Sequence, residues 1–457
     1  AKMGRRQCKS AYNIIKNKTT PESSPPPTPK SDYCNADKAE ENDLKKSLMK
    51  MLEEAFEEKM KNVSKEIGEK SNPWTNNNST VVAIRGTILE KMDICSMPRF
   101  FRFVQDSTVL KNNVGVFVKD LRFGTVPVRL FQPKAASSKP RKGIIFFHGG
   151  GTVVGSIEPQ NLLVFSFPIV KLNYAKDCYH NLCTFLARET DSVLLSVGYR
   201  KVPYYHHPFP LLDCLNASIH FLKSSKAYGV DPSQIAVCGD SIGGGAAVII
   251  TQTLVGRADL PKIRAQILIY PVLQAFYFQS PSKLQYTNIP LLTKDFMMNC
   301  LCRYAAIDPS WKDAMLTGAC VPPSAWKKYE KWLSPDNIPK MFRRNYQQPE
   351  SPAPFNEAAY LETKHTMNKD ISPLIADDEI IAQVPEAFLV TLQWDIIRDD
   401  GLLYKKRLED QGVPVTWYHV DGFHGCAVLF DSVWPLQCLI IMDIDSSISD
   451  HVTVLEF

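Results

Sequence analysis

A serine flanked by glycines lies where a predicted strand meets a predicted helix. Residues 235–245 read IAVCGDSIGGG, and Gly239, Ser241 and Gly243 occupy the fixed positions of Gly-x-Ser-x-Gly. An apolar run precedes this pattern and small helix formers follow it, as in the strained turn that exposes a nucleophilic serine. Glycines beside the serine remove the Cβ clashes of such a turn. The bare pattern also arises by chance, but its flanking elements favour a nucleophile at Ser241.

A glycine-rich segment follows another predicted strand. His148 is followed by Gly149, Gly150 and Gly151, directly at the end of the apolar run GIIFFHG. Consecutive glycines let backbone N–H groups approach an atom that develops negative charge, as in the HGGG loop of lipases and esterases. The segment has two alternative interpretations, a flexible hairpin turn and a phosphate-binding loop. The Gly-Lys-Ser/Thr sequence that the phosphate-binding loop requires does not follow.

A histidine and an aspartate complete the groups that acyl transfer through serine requires, a base and a carboxylate that orients it. His424 lies in DGFHG just after the last predicted strand, where glycines keep its ring accessible; the alternative is an ordinary surface histidine. Asp395 ends the predicted strand AFLVTLQW. Asp399 and Asp400 are rivals, but their place inside the following helical segment favours a solvated or salt-bridged role. The order Ser241, Asp395, His424 is the Ser-acid-His order of α/β-hydrolases.

The elements that would position these residues alternate along the chain. Strand-like runs occur at 126–133, 143–149, 192–199, 235–240, 263–271, 387–395 and 415–423, with helical patterns between them. Several runs are apolar throughout, which indicates strands covered on both faces. We therefore predict an α/β fold with a mostly parallel central sheet and helices on both faces. The segment at about 274–384, rich in Trp, Tyr, Met and Pro, interrupts this alternation and predicts a helical cap.

Composition and charge narrow the classes of function. The chain has 457 residues, of which 44% are hydrophobic and 22% charged, so it can bury a large core. Its net charge of +5 is small for this length, and we expect no nucleic-acid partner. The 12 cysteines lack paired CxxC spacing, which argues against zinc, and the apolar surroundings of Cys214, Cys238 and Cys438 favour buried free thiols. No apolar run reaches the roughly 18 residues of a membrane-spanning helix.

The first 80 residues differ from the rest. They begin basic, pass through a proline cluster and continue as a charged helix at about 38–70 with apolar residues in 4-3-4 steps. This spacing suits a coiled-coil seam and self-association, whereas the alternative is a solvated amphipathic helix without a partner. Residues 3–72 resemble the N-terminal end of the RNA-binding first-open-reading-frame protein of LINE retrotransposons, without its RNA-binding domain. We predict an extension at 1–80 and an α/β-hydrolase domain at 81–457.

Residues 81–430 resemble one enzyme family. The segments HGGG, YRKVP, GDSIGG, LIYP, DIIRDDG and DGFHG are together similar to the hormone-sensitive-lipase-type esterases. The segments KYEKWLSPDNIP, SPLIADDE and YKKRLEDQGVPVTWYH are similar to the arylacetamide deacetylase-like branch of that family. The resemblance implies an α/β-hydrolase fold and a serine hydrolase acting on small apolar carboxylic esters or acyl amides, without metal or organic cofactor.

The same resemblance implies roles for individual residues. Ser241, Asp395 and His424 would form the catalytic triad. Four backbone amides would stabilise the oxyanion, those of Gly149, Gly150, Gly151 and Ile242. Two other functions stay open from the sequence: a catalytically impaired homologue that only binds ligands, and an interaction protein that oligomerises through its N-terminal helix.

Three segments depart from the family pattern. Family members begin with a membrane anchor facing the endoplasmic reticulum lumen, and this chain has the 1–80 extension in that place. The family therefore implies membrane association and the endoplasmic reticulum, whereas a chain without the anchor would be cytoplasmic. Residues 159–176 add an apolar insertion next to the predicted site. After residue 430 the closing amphipathic helix of the family is not recognisable.

Overall fold

The computed structural model describes residues 114–153, 179–289, 292–344, 346–347, 353–425 and 453–454. All of them belong to the second of the two units into which the chain divides, Ser71–Phe457. The 1–80 extension with its 38–70 helix, the insertion at 159–176 and most of 431–457 lie outside the described residues. The predictions made for these segments stay predictions.

A nine-stranded sheet forms the centre of the fold. In chain order its strands are β1 (Val116–Phe123), β2 (Val126–Pro133), β3 (Arg141–Phe147), β4 (Ser192–Val197), β5 (Val230–Asp240), β6 (Ala265–Ile269), β7 (Glu386–Trp394), β8 (Val415–Phe423) and β9 (Thr453–Val454). Their order across the sheet is β1-β2-β4-β3-β5-β6-β7-β8-β9. Strand β2 pairs antiparallel with β1 and β4, and all other neighbouring strands are parallel. The predicted mostly parallel sheet is confirmed.

Ten α-helices occur among the described residues. They are α1 (His180–Glu189), α2 (Phe209–Ser224), α3 (Ile242–Leu254), α4 (Pro281–Gln285), α5 (Lys294–Ala305), α6 (Lys312–Leu316), α7 (Pro323–Leu333), α8 (Glu357–Thr363), α9 (Asp378–Ile381) and α10 (Arg398–Asp410). Helices α2, α3 and α10 contribute buried residues to one large hydrophobic cluster, and α1 contributes to a second cluster.

The central strands are buried on both faces. Along β3, Ile145 and Phe147 pack into the first hydrophobic cluster, whereas Ile144 and Phe146 pack into the second. Successive side chains of a strand point to opposite faces of its sheet, so both faces of β3 are covered by apolar side chains. This is why the run is apolar throughout instead of alternating. Helices therefore cover both faces of the sheet, as the sequence predicted.

The described residues between β6 and β7 form helices and 3₁₀ turns but no strand. They include α4 to α9 and have a hydrophobic cluster of their own, built around Phe278, Met298 and Met315. Helix α5 begins after Thr293, whose side chain accepts a hydrogen bond from the amide of Phe296. The segment that the sequence predicts as a cap therefore consists of short helices packed on one another.

Buried cysteines occur both in the sheet domain and in this segment. Cys214 and Cys238 are buried and free, as predicted from their apolar surroundings. Burial raises the pKa of both thiols, so neither is a reactive thiolate near neutral pH. Cys438 lies outside the described residues.

Candidate active site

Ser241 lies on a sharp turn between β5 and α3. Its backbone has φ 54° and ψ −123°, a conformation that residues with a side chain rarely adopt. A Cβ at Gly239 would collide with the backbone of Gly243, and a Cβ at Gly243 would collide with the carbonyl of Phe147. Gly239 therefore lets the start of α3 fold back close to the end of β5, and Gly243 lets it pass close to the end of β3. The local structure is the strand-turn-helix in which the sequence placed Ser241.

Asp395 and His424 reach Ser241 from the ends of two other parallel strands. Asp395 directly follows β7, and His424 directly follows β8. Parallel strands end at the same edge of a sheet, where side chains from distant parts of the chain meet. The Nε2 atom of His424 is 2.9 Å from Ser241 Oγ, and its Nδ1 atom is 3.0 Å from Asp395 Oδ2. The structure thus brings all three predicted residues into one hydrogen-bonded chain.

The hydrogen bonds of Asp395 determine which nitrogen of His424 carries the proton. Asp395 is fully buried, and its Oδ1 atom accepts a hydrogen bond of 3.0 Å from the amide of Ile397. Its Oδ2 atom is left to accept the proton on Nδ1 of His424. In that tautomer Nε2 has a free lone pair, which can accept the proton of the Ser241 hydroxyl. The ring of Tyr270 packs against the imidazole, with 4.7 Å between the two ring centroids.

The two rival carboxylates are buried in ion pairs. Asp399 pairs with Arg398 at 3.0 Å, and Asp400 pairs with Lys283 at 2.8 Å. All four side chains are almost fully buried. The salt-bridged alternative is therefore correct for Asp399 and Asp400, and the solvated alternative is wrong. The first pair lies within the N-terminal turn of α10, and the second connects that turn to α4 of the cap.

The glycine loop follows β3, which neighbours β5 on the side away from β7. Three of the four predicted oxyanion donors, Gly150, Gly151 and Ile242, line the same cavity as Ser241 and His424. Gly149 is a correction. Its amide donates a hydrogen bond of 2.7 Å to Oδ1 of Asp240, so it is not directed at a substrate. Gly149 instead anchors the loop to the end of β5.

Asp240 is a residue of the site that the sequence reasoning missed. Its carboxylate is buried between the nucleophile and the glycine loop, and the hydroxyl of Tyr179 donates to Oδ2 at 3.0 Å. Burial raises the pKa of Asp240 to about 6, although the hydrogen bonds from Tyr179 and Gly149 and the nearby His424 lower it in part. A carboxylate at the end of an otherwise apolar strand, next to the predicted nucleophile, was the available signal.

An apolar cavity of ≈ 150 Å³ opens in front of Ser241 and His424. One face of α5 forms a wall, with residues spaced one, three and four apart as on one side of a helix: Phe296, Met297, Cys300, Leu301 and Tyr304. Two polar side chains of the wall are already engaged: Gln274 donates to the carbonyl of Tyr277 at 2.7 Å, and Lys283 to Asp400. The cavity therefore favours an apolar ligand over a charged one.

Comparison with known proteins agrees with this geometry. The sequence profile of a family described as alpha/beta hydrolase fold matches residues 170–332 and 325–428. Mouse arylacetamide deacetylase-like 4 family member 1 is 71% identical over 369 residues, which cover 80% of this chain and 86% of the mouse protein. Bovine arylacetamide deacetylase is 33% identical over 364 residues, which cover 78% of this chain and 86% of the bovine protein.

The chain belongs to the arylacetamide deacetylase-like family of α/β-hydrolases. The family resemblance seen in the motifs is confirmed. This family member also shares its fold with solved esterases. A thermostable esterase from Pseudomonas putida superposes with a TM-score of 0.52 at 22% identity, covering 76% of this chain and 87% of the esterase. An esterase from Pyrobaculum calidifontis gives 0.53 at 21% identity, with coverages of 79% and 96%.

Two further features of this family member concern metals and membranes. Within the described ranges, no three His, Cys, Asp or Glu side chains are close enough to hold a metal ion. In the same part of the chain, no helix combines the length and the apolar character needed to cross a bilayer. Location in the endoplasmic reticulum membrane stays a prediction from the family resemblance.

Proposed function

We propose that this protein is a serine hydrolase that cleaves carboxylic esters or small acyl amides of apolar substrates. The observation that carries the proposal is the chain of hydrogen bonds from Ser241 Oγ to His424 Nε2, 2.9 Å, and from His424 Nδ1 to Asp395 Oδ2, 3.0 Å. The Ser241 end of these hydrogen bonds lines an apolar cavity, which the glycine loop also lines. The arylacetamide deacetylases among its relatives carry a name that denotes acyl amide hydrolysis.

In the first half of the reaction, Ser241 Oγ attacks the acyl carbon while His424 Nε2 accepts the hydroxyl proton. The carbonyl oxygen becomes an oxyanion, which the amides of Gly150, Gly151 and Ile242 stabilise. The buried carboxylate of Asp395 stabilises the imidazolium that forms. His424 then gives the proton to the leaving alcohol or amine as the bond between it and the acyl carbon breaks.

In the second half, water replaces the leaving group. His424 Nε2 accepts a proton from the water as the water oxygen attacks the acyl-serine carbon, and the same amides stabilise the second oxyanion. The bond between Ser241 Oγ and the acyl carbon breaks, and His424 returns the proton to Oγ. The carboxylic acid leaves, and Ser241 and His424 have returned to their starting protonation states.

Substitution of the nucleophile tests the proposal. We expect the Ser241→Ala protein to lose hydrolysis of 4-nitrophenyl butyrate by at least about 10⁴-fold in kcat, because no acyl-enzyme can form. The wild-type serine should also react covalently with a fluorophosphonate probe, detected as an increase in intact mass that Ser241→Ala lacks. Undiminished hydrolysis by Ser241→Ala would contradict the assignment. A wild-type protein that binds the ester but neither hydrolyses it nor reacts with the probe would be the ligand-binding homologue instead.

A further inference from the structure

A second, smaller cavity adjoins the apolar cavity in front of Ser241 and His424, which we call the substrate cavity. It measures ≈ 30 Å³, and three residues line both cavities: Ile242, Val272 and Tyr304. These three residues therefore form a shared wall between the two cavities. We call the second space the inner cavity.

The inner cavity continues along the helix that starts at the nucleophile. Its wall includes one face of α3, with residues spaced one, three and four apart: Ile242, Gly245, Ala246 and Ile249. Of these, Ile242 alone also lines the substrate cavity. A chain that extends from the acyl carbon past Ile242 and along α3 would therefore enter the inner cavity if the shared wall were open.

Tyr304 closes this path from the cap side. It is the last residue of the α5 face that lines the substrate cavity, and its four partners on that face do not reach the inner cavity. Tyr304 is 8% exposed, and its ring packs edge-on against the ring of His207 with 5.6 Å between the centroids. The amide of His207 also donates to the carbonyl of Tyr304 at 2.8 Å. The ring is thus held in the wall by its own helix and by the loop before α2.

The inner cavity suits an alkyl group. Most of its remaining wall is apolar, formed by Pro210, Leu211, Cys214 and Ile371. Besides Tyr304 in the shared wall, two residues with hydroxyl groups line this cavity, and both hydroxyls are engaged. Thr152 donates to the carbonyl of Gly151 at 2.7 Å, and Tyr199 donates to the carbonyl of His148 at 2.6 Å. An apolar cavity of this kind excludes polar groups and gains from a methylene that fills it.

We propose that Tyr304 determines how long an alkyl arm of the substrate the active site accepts. The phenol ring ends the substrate cavity at the wall shared with the inner cavity, so the protein favours short acyl or alkoxy groups. Replacing the ring by a small side chain joins the two cavities and admits a longer arm. This inference rests on the proposed hydrolase function and adds a specificity determinant to it.

The test compares two series of esters in the full-length protein. One series varies the acyl group, from 4-nitrophenyl butyrate to the octanoate, and the other varies the alcohol, from butyl to octyl acetate. The readout is kcat/KM of the longer ester divided by that of the shorter one. We expect Tyr304→Ala to raise this ratio by about tenfold or more in at least one series, since each accommodated methylene contributes to transition-state binding. Tyr304→Phe keeps the ring and should keep the wild-type ratio.

Two further variants make the test specific for the shared wall. Met297→Ala enlarges the substrate cavity from the same face of α5 without touching the inner cavity, so its ratio should stay within about threefold of the wild-type ratio. Ala246→Leu fills the inner cavity from α3, and combined with Tyr304→Ala it should cancel the gain. If thermal unfolding shows that Tyr304→Ala does not fold, Tyr304→Leu opens the wall with a smaller loss of packing.

The outcomes separate this inference from the proposed function. Hydrolysis of butyrate by Tyr304→Ala without a change of ratio in either series overturns the inference and leaves the hydrolase function standing. An equal rise in Met297→Ala also overturns it, because the shared wall would then not be the determinant. If the wild type hydrolyses no ester, the proposed function fails, and binding of linear alcohols decides the inference. Greater thermal stabilisation of Tyr304→Ala than of wild type by octanol, but not by butanol, would support it, and equal stabilisation would overturn it.

Discussion

The edge of the sheet that carries Ser241 and the cap helix α5 that faces it are built in different ways. At the sheet edge, the ends of three parallel strands and close backbone contacts at Gly239 and Gly243 hold the reacting groups. On the cap side, packed side chains of one helix shape the cavity, and Tyr304 is one of them. In the proposed reaction, the chemistry therefore depends on the backbone and tolerates little change, whereas the proposed limit on substrate length depends on one side chain and can be altered.

The largest effect is expected at the sheet edge. Asp395→Asn should lower kcat for 4-nitrophenyl butyrate by about 10⁴-fold, because an amide no longer selects the tautomer in which His424 Nε2 accepts the serine proton. The KM value should change little, since Asp395 does not line the cavity. Steady-state kinetics on protein of unchanged circular dichroism measures both values.

Asp400→Asn is the matched control, because Asp400 is a rival acid that is equally buried but lies in an ion pair with Lys283. Its kcat, normalised to folded protein, should exceed that of Asp395→Asn by at least about 10²-fold. Equal loss of kcat in the two variants would contradict the assignment of Asp395 and would remove the distinction between reacting and supporting carboxylates.

The same contrast separates what the sequence could predict from what it could not. Strand β2 has the predicted bounds, and Ser241, Asp395 and His424 follow strands whose apolar runs are visible locally. Strand β1, VFVKDLRF, was missed because its charged residues belong to an edge strand in which only Val116 and Phe123 are buried. The predicted start of β5 was late, because Asp231 and Pro232 indicate a turn, whereas the strand begins at Val230.

Contacts between residues far apart in the chain account for the other features that the sequence could not predict. The amide of Gly149 was predicted to face the substrate, but its direction is decided by Asp240, a residue 91 positions later in the chain. The position of Tyr304 beside Ile242 likewise depends on how the cap packs on α3. No spacing along the sequence encodes either contact, so the motif predicted the loop but not which of its amides are available.

A second, smaller effect is expected at an ion pair that joins the cap to the sheet domain. Lys283 and Asp400 form an ion pair at 2.8 Å, with side chains 2% and 1% exposed, between α4 of the cap and α10 of the sheet domain. Lys283→Met should lower the free energy of unfolding by about 3 kcal/mol, because it leaves the carboxylate of Asp400 buried without its cation. Urea unfolding at neutral pH measures the change.

Lys406→Met provides the control for that experiment, because Lys406 pairs with Asp410 on the surface, with side chains 44% and 51% exposed. The loss there should stay below about 0.5 kcal/mol. In addition, Lys283→Met combined with Asp400→Leu should regain part of the stability, since an apolar pair carries no buried charge. Equal losses in the two single variants would mean that the buried pair contributes no more to stability than a surface pair.

The smallest effect concerns the carboxylate that joins the glycine loop to the nucleophile turn. Burial raises the pKa of Asp240 in the folded protein to about 6, from its ordinary value of 3.8. Between these two values the folded state holds a proton that the unfolded state has lost. The contribution of Asp240 to the free energy of unfolding therefore falls as pH rises from about 4 to about 6, and this loss of stability persists above that range. This difference between the folded and unfolded pKa corresponds to roughly 2 to 3 kcal/mol in the free energy of unfolding.

Asp240→Asn removes this dependence while keeping an oxygen that accepts from the amide of Gly149. We expect the stability of the variant relative to wild type to improve by roughly 2 kcal/mol between about pH 4 and pH 7. Urea unfolding of both proteins at several pH values measures the difference. A difference that stays constant with pH would show that Asp240 does not titrate in this range. The loop would then be held by a carboxylate ionised throughout, and its attachment to β5 would be as insensitive to pH as the backbone contacts around Ser241.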